Sequence, residues 1–204
     1  PGSGPDAYSR LRQRARFERN LDRDCVLHTG KFHTSWGDLN SLKYQHAMEY
    51  ECFQAMSLNV KCLVGDHMPP SGKLDRDAYE LIGNVYAQVE KKEPWCHGAA
   101  AVVDMAILSA DAEAKRGVSG LLVEAGHQFD VIDDAMDFGR YKLLVIGDSW
   151  TADEKTAAKL DAYVASGGKV LATYESGMDA GRTRFIPRCI PVTFADDGPI
   201  HSDG

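Results

Sequence analysis

Two short stretches gather the residues best equipped for chemistry. The first contains His28, Lys31, His33 and Trp36, and the second is Asp66-His67. Together they offer imidazoles, an ammonium, a carboxylate and an indole. Such a set suits a substrate rich in hydroxyls, because a ring packs on one sugar face while charged groups bind its edges. Asp66, His67 and His33 are the candidate catalytic groups, since a carboxylate beside an imidazole forms an acid–base pair. His28, Lys31 and Trp36 are candidate substrate contacts. The donors His28, His33, Asp66 and His67 also raise the alternative of a zinc or manganese site that generates hydroxide and cleaves an ester or phosphoester. Their spacing matches no compact zinc motif. Each residue has a structural reading as well: His28 as a core imidazole, Asp66 as the cap of the turn leading to Pro69, and Trp36 as a plug.

These residues matter only if the fold brings them together. Cys25 to Thr29 is an apolar strand candidate, and a polar, aromatic loop runs from Gly30 to Asn40. Asn40 or Ser41 is a fitting cap for a helix whose stripe is Leu42, Met48, Cys52, Phe53 and Met56. Val60 to Gly65 forms the next strand, followed by a stiff loop through Pro69-Pro70 and a helix over 75–91. Before them, residues 7 to 21 read as a helix, with Tyr8, Leu11, Ala15 and Leu21 near one face. Arg10, Arg12, Arg14, Arg16 and Arg19 occupy the rest, as a solvated or salt-bridged surface. The order strand–loop–helix, repeated, is that of parallel βα units. In such arrays functional groups collect where strands end, which is where both stretches lie.

Pro94-Trp95-Cys96-His97-Gly98 breaks the pattern, and it restarts with a strand over 101–108. A helix over 119–127, strands over 129–132 and 141–146, a helix over 152–166 and a strand over 169–173 complete a small doubly wound α/β domain. Gly167-Gly168 is a suitable helix stop. Val102, Ile107, Leu122, Val145, Ile146 and Val170 are its expected sheet core. Gly147-Asp148-Ser149 lacks the glycine spacing and lysine of a phosphate loop. Residues after Arg182 read as loop. The expected domains are 1–96 and 97–204.

Composition narrows the classes. The 204 residues are 44% hydrophobic and 26% charged, as in ordinary globular proteins, and no apolar run is long enough to span a bilayer. A net charge of −7 argues against a general nucleic-acid binder. The five cysteines form no CxxC pair and fit free thiols in a reducing cytoplasm. The opening Pro1-Gly2-Ser3-Gly4-Pro5 reads as an exposed loop.

Several stretches carry a family resemblance. His28-Thr29-Gly30-Lys31-Phe32-His33-Thr34-Ser35-Trp36-Gly37-Asp38 resembles a loop of bacterial α-L-fucosidase-type glycoside hydrolases that bear a β-galactosidase-type trimerisation domain. Glu49 to Gln54, Gly65-Asp66-His67, Gly72 to Asp75, Glu93 to Cys96 and His127 to Asp133 are similar too. The resemblance implies an α/β fold: the last βα units of a (β/α)8 barrel, followed by a flavodoxin-like trimerisation domain. It implies a carbohydrate-active hydrolase, here its C-terminal part, acting on a small carbohydrate. The chain is expected to associate with itself as a dimer or trimer, with no nucleic-acid or membrane partner and no cofactor. A non-catalytic oligomerisation module is the remaining alternative. β-Galactosidase relatives place a glutamate nucleophile at the end of the seventh strand, where Thr29 to His33 has no carboxylate. Asp66 is the carboxylate at the other exit, with Asp38 deeper in the loop. A glycosidase of this kind uses two carboxylates.

Overall fold

The structure is a computed structural model that describes residues 5–21, 23–36, 38, 40–108, 114–148 and 150–193. Pro1 to Gly4, Gly37, Ser149 and the end of the tail lie outside the described residues, as do the side chains of Tyr8 and Arg10. The chain divides into two compact units, residues 1–102 and 103–204.

The first unit runs α1 (Pro5–Glu18), β1 (Val26–Gly30), α2 (Gln45–Ser57), β2 (Lys61–Gly65) and α3 (Arg76–Cys96). β1 and β2 pair in parallel, from Val26 opposite Lys61 to Gly30 opposite Gly65. Alternation along the strands sends Leu27 toward a core with Leu11, Ala15, Ala55, Leu58 and Val60. Val64 of β2 packs against Met48, Cys52 and Val85, and Cys62 touches both clusters. On the opposite face Val26 and Leu63 are about half exposed. This is the pattern of two consecutive βα units with helices on one side.

Several expectations need correction here. α2 begins at Gln45, not at Asn40 or Ser41, and Tyr44 caps it without a side-chain hydrogen bond. The Ser41 hydroxyl is engaged elsewhere, accepting from His33 N–H at 3.0 Å and donating to the Asp38 carbonyl at 3.2 Å. Leu42 therefore lies in the loop rather than on the helix stripe. α3 does not stop before Pro94 but continues to Cys96. Its start is well defined, because the Asp75 carboxylate accepts from the N–H groups of Asp77 and Ala78. Arg16 is buried rather than solvated, while Arg14 makes the expected surface pair with Glu18.

The second unit contains β3 (Met105–Leu108), α4 (Ala114–Glu124), β4 (Asp130–Ile132), β5 (Leu143–Ile146), α5 (Glu154–Ala165) and β6 (Lys169–Ala172). Its four parallel strands are ordered β4-β3-β5-β6. Ala106, Leu108, Ile132, Leu144 and Ile146 bury against Leu160 and Tyr163 of α5, together with Phe138 and Trp150. Ile107, Val131 and Val145, on the other side of the pleat, are buried as well, so both faces are covered. Val102 is 91% exposed and does not belong to this core, because the ladder starts only at Met105 opposite Leu143. α5 ends at Ala165, Gly167 beyond it takes φ 102°, and Gly168 leaves room for the Tyr163 ring.

Among the described residues no helix is long and apolar enough to cross a membrane.

Candidate functional site

The parallel register places Gly30 and Gly65 side by side, so the loops beginning at Lys31 and Asp66 leave the sheet together. Lys31 N–H donates to the Gly65 carbonyl at 3.0 Å, extending the ladder by one residue. Its side chain is 1% exposed, with Nζ 3.6 Å from Asp66 Oδ1 and 3.9 Å from Asp75 Oδ2. Asp66 Oδ1 also accepts from His67 N–H at 2.7 Å. His67 Nδ1 lies 3.2 Å from that oxygen but outside hydrogen-bonding alignment. Among the described residues, Asp66 Oδ2 and His67 Nδ1 are thus buried polar atoms without a hydrogen-bond partner. Leaving such groups unsatisfied costs about 1–3 kcal/mol each.

An aromatic wall stands beside them. The Trp36 ring lies 5.1 Å from His28, edge to face, and 4.9 Å from Phe32. Phe32 in turn is 6.0 Å from the His67 ring. The two glycines at the strand ends make this possible. A Cβ on Gly65 would overlap the His28 and Trp36 rings, and one on Gly30 would come within 2.9 Å of Phe32. Trp36 remains 46% exposed, presenting indole surface to solvent beside the buried polar atoms.

The sequence-predicted residues separate into two groups. Lys31, Asp66, His67, His28 and Trp36 are linked through ionic, hydrogen-bonding and ring contacts. His33 is apart from them: its ring contact is with Tyr44, at 5.4 Å. The metal alternative loses its donor set for that reason. Among the described residues, no three His, Cys, Asp or Glu are placed to hold a metal ion. Asp38 is occupied within its own loop, accepting from Thr34 Oγ1 at 2.9 Å, and its bonds from Ser41 and Thr34 hold its carboxyl below the usual range.

A second polar group, unanticipated from the sequence, holds the loop in place. Lys43 Nζ donates to Glu51 Oε2 at 2.6 Å and to Thr29 Oγ1 at 3.0 Å, and the Thr29 hydroxyl bonds to the same Glu51 oxygen. Lys43 N–H also donates to the Lys31 carbonyl at 2.6 Å. The loop from Lys31 to Lys43 is thereby fastened at both ends. One signal was available: Glu51 lies on the face of α2 that also buries Met48, Cys52 and Ala55. A charged residue on a buried helix face requires a partner.

In the second unit, the turn after β6 is structural. Ser176 Oγ is buried within reach of the carbonyls of Thr173, Gly147 and Ile146. Asp148 accepts from the Thr173 hydroxyl at 2.6 Å.

Residues 120–196 match the family model described as the β-galactosidase trimerisation domain. The α-L-fucosidase isoenzyme 2 of Paenibacillus thiaminolyticus superimposes with a TM-score of 0.78 at 34% identity, over 84% of this chain and 28% of that one. These stretches of the chain are similar to parts of glycoside hydrolases. The β-galactosidase GalA of Bacillus licheniformis is 43% identical over 49 residues, which are 24% of this chain and 7% of that protein. A β-galactosidase from Bacillus circulans sp. alkalophilus shares the fold at 14% identity, with a TM-score of 0.70 over 87% of this chain and 32% of that one. The chain therefore spans about a quarter to a third of the solved relatives' length. Its α/β fold, barrel-type βα units followed by a flavodoxin-like domain, is theirs.

Proposed function

We propose that the first unit supplies part of the sugar-binding mouth of a glycosidase and that the second unit joins copies of the chain. One observation carries the first reading: two buried polar atoms without hydrogen-bond partners among the described residues, Asp66 Oδ2 and His67 Nδ1, beside an exposed indole. A pyranose fits this arrangement. Its apolar face stacks on Trp36, and a ring hydroxyl donates to Asp66 Oδ2. Another hydroxyl meets His67 Nδ1, while His28 borders the ring.

Lys31 acts from below, holding the Asp66 carboxylate in place rather than touching sugar. His33, paired with Tyr44, belongs to a more distant subsite. Asp66 and His67 are then the groups able to move a proton at the glycosidic oxygen, and a two-carboxylate mechanism needs a second acid from outside this pair. The reading requires neither metal nor cofactor. Five free cysteines support a reducing, cytoplasmic setting.

Titration calorimetry with D-galactose and L-fucose tests the site. Binding of either sugar that weakens at least tenfold in Trp36→Ala and in Asp66→Asn supports it. Equal affinity in the variants, or no binding of either sugar, ends it. For the second unit, the matched trimerisation domain supports a homotrimer, with a dimer as the alternative. Sedimentation equilibrium showing only monomer at micromolar concentration would contradict association.

A further inference from the structure

Opposite the strand exits, a cavity of about 920 Å³ opens at the N-terminal ends of β1 and β2, beside the last turns of α3. Three thiols line it, those of Cys25, Cys62 and Cys96. They differ in what they face. The Cys25 thiol donates to backbone carbonyls of Glu18 and Arg23. Cys96 sits at the C-terminal end of α3. Cys62, on β2, packs against the core cluster that contains Cys52 of α2, and Cys52 is fully buried. Cys62 thus stands between the cavity and a second sulfur.

We propose that Cys62 and Cys52 form a peroxide-sensitive thiol pair, with Cys62 as the attacking sulfur and Cys52 as the resolving one. The Cys62 thiolate attacks a hydroperoxide that enters the cavity. The O–O bond breaks, the sulfur gains hydroxyl to become a sulfenic acid, and the other oxygen leaves as water or alcohol after taking a proton. The peroxide is reduced by two electrons. The Cys52 sulfur then attacks the sulfenic sulfur, losing its proton to the departing hydroxyl, and the products are a disulfide and water.

The division of roles follows from access, because Cys62 borders the cavity and Cys52 is fully buried. The neighbouring Cys52 thiol pulls the Cys62 thiol down to about 7 against its burial, with Tyr86 adding to the effect. The same pairing, with burial, pushes Cys52 upward. A thiolate is the nucleophile, and access decides which thiolate meets the oxidant. Cys62 has both the charge and the cavity. Cys52 has neither, and serves by proximity.

The test uses the whole chain, treated with a small excess of hydrogen peroxide, blocked with a maleimide and digested without reduction. A Cys52–Cys62 linked peptide as the main oxidised product is expected. At pH 7, alkylation of Cys62 in the untreated chain should exceed that of Cys52 by at least about tenfold, half-maximal near pH 7 rather than near 8.5. In Cys52→Ser, oxidation should stop at a sulfenic acid on Cys62 that dimedone captures. Oxidation falling mainly on Cys25 or Cys96 would overturn the proposal. So would a Cys62→Ser chain that loses thiols to peroxide at the wild-type rate. If either variant fails to fold, the peptide map of the natural chain decides alone.

Discussion

Lys31 and Asp66 leave two different strands, 3.6 Å apart at their charged atoms, and both side chains are more than nine-tenths buried. Each is the first residue beyond a strand end, so the parallel register alone makes them neighbours. An ion pair in such a position is weak evidence for net stability, because desolvation offsets the attraction. Removing one partner is severe. Lys31→Met should destabilise the first unit by about 3 kcal/mol in urea unfolding. Adding Asp66→Leu to that variant should recover most of the loss. A single Lys31→Met substitution with an unchanged unfolding midpoint would mean that the pair carries no such burden.

Glycines at open and closed positions should respond in opposite ways. Gly65→Ala forces a methyl into the His28 and Trp36 rings, and overpacking of this kind costs about 1–3 kcal/mol. The displaced indole should also shift the Trp36 fluorescence. Gly83, within α3, meets nothing within 4 Å, so Gly83→Ala should stabilise the chain by about 0.5–1 kcal/mol. Equal thermal shifts in the two variants would refute the packing of the aromatic wall.

Val145 lies on β5, hydrogen-bonded to β3 on one side and β6 on the other, and is 3% exposed. Val145→Asp places an unpaired carboxylate within a sheet covered on both faces and should prevent the second unit from folding. Circular dichroism of that variant is the check. A native melting curve would show that β5 is not central.

Acid should loosen the second unit through its caps. The Thr156 N–H bond to Asp153 at the start of α5 lowers the Asp153 carboxyl below its ordinary 3.8, and the Thr183 bonds do the same for Asp179. A carboxyl lowered by folding contributes stability that is fully present above its unfolded value and lost as pH falls through its folded one. The melting temperature, followed through the buried Trp150, should hold from pH 7 to about 5 and fall below about 4. Asp153→Ala and Asp179→Ala should each reduce that fall. Identical acid profiles in the variants would assign the fall to other groups.

The elements and the strand exits were legible because alternation and helical spacing are local properties. Knowing that two parallel strands end together was enough to join Lys31, Asp66, His67, His28 and Trp36. His33 could not be placed that way, since its orientation depends on Tyr44, across the loop. Glu51 was missed for a related reason: its partners, Thr29 and Lys43, precede it and reveal themselves only when α2 packs on β1. Ser41 misled as a helix cap because a hydroxyl that can cap can equally tie a loop. Pro94 misled as a breaker, because α3 runs two residues past it before ending at Cys96.

The pairing of β1 with β2 also imposes an order in time. Val26 to Gly30 has no strand beside it among the described residues until Lys61 to Gly65 arrives, and the two are separated by a loop and all of α2. Closing a segment of that size carries an entropic cost that grows only with the logarithm of its length, but it must be met before any contact across it forms. During synthesis the pairing of β1 with β2 therefore waits while α2 is made. The Lys31–Asp66 contact comes later still, and its Asp75 neighbour after that. The candidate site is thus among the last features of the first unit to exist, complete only when the residue that opens α3 has arrived.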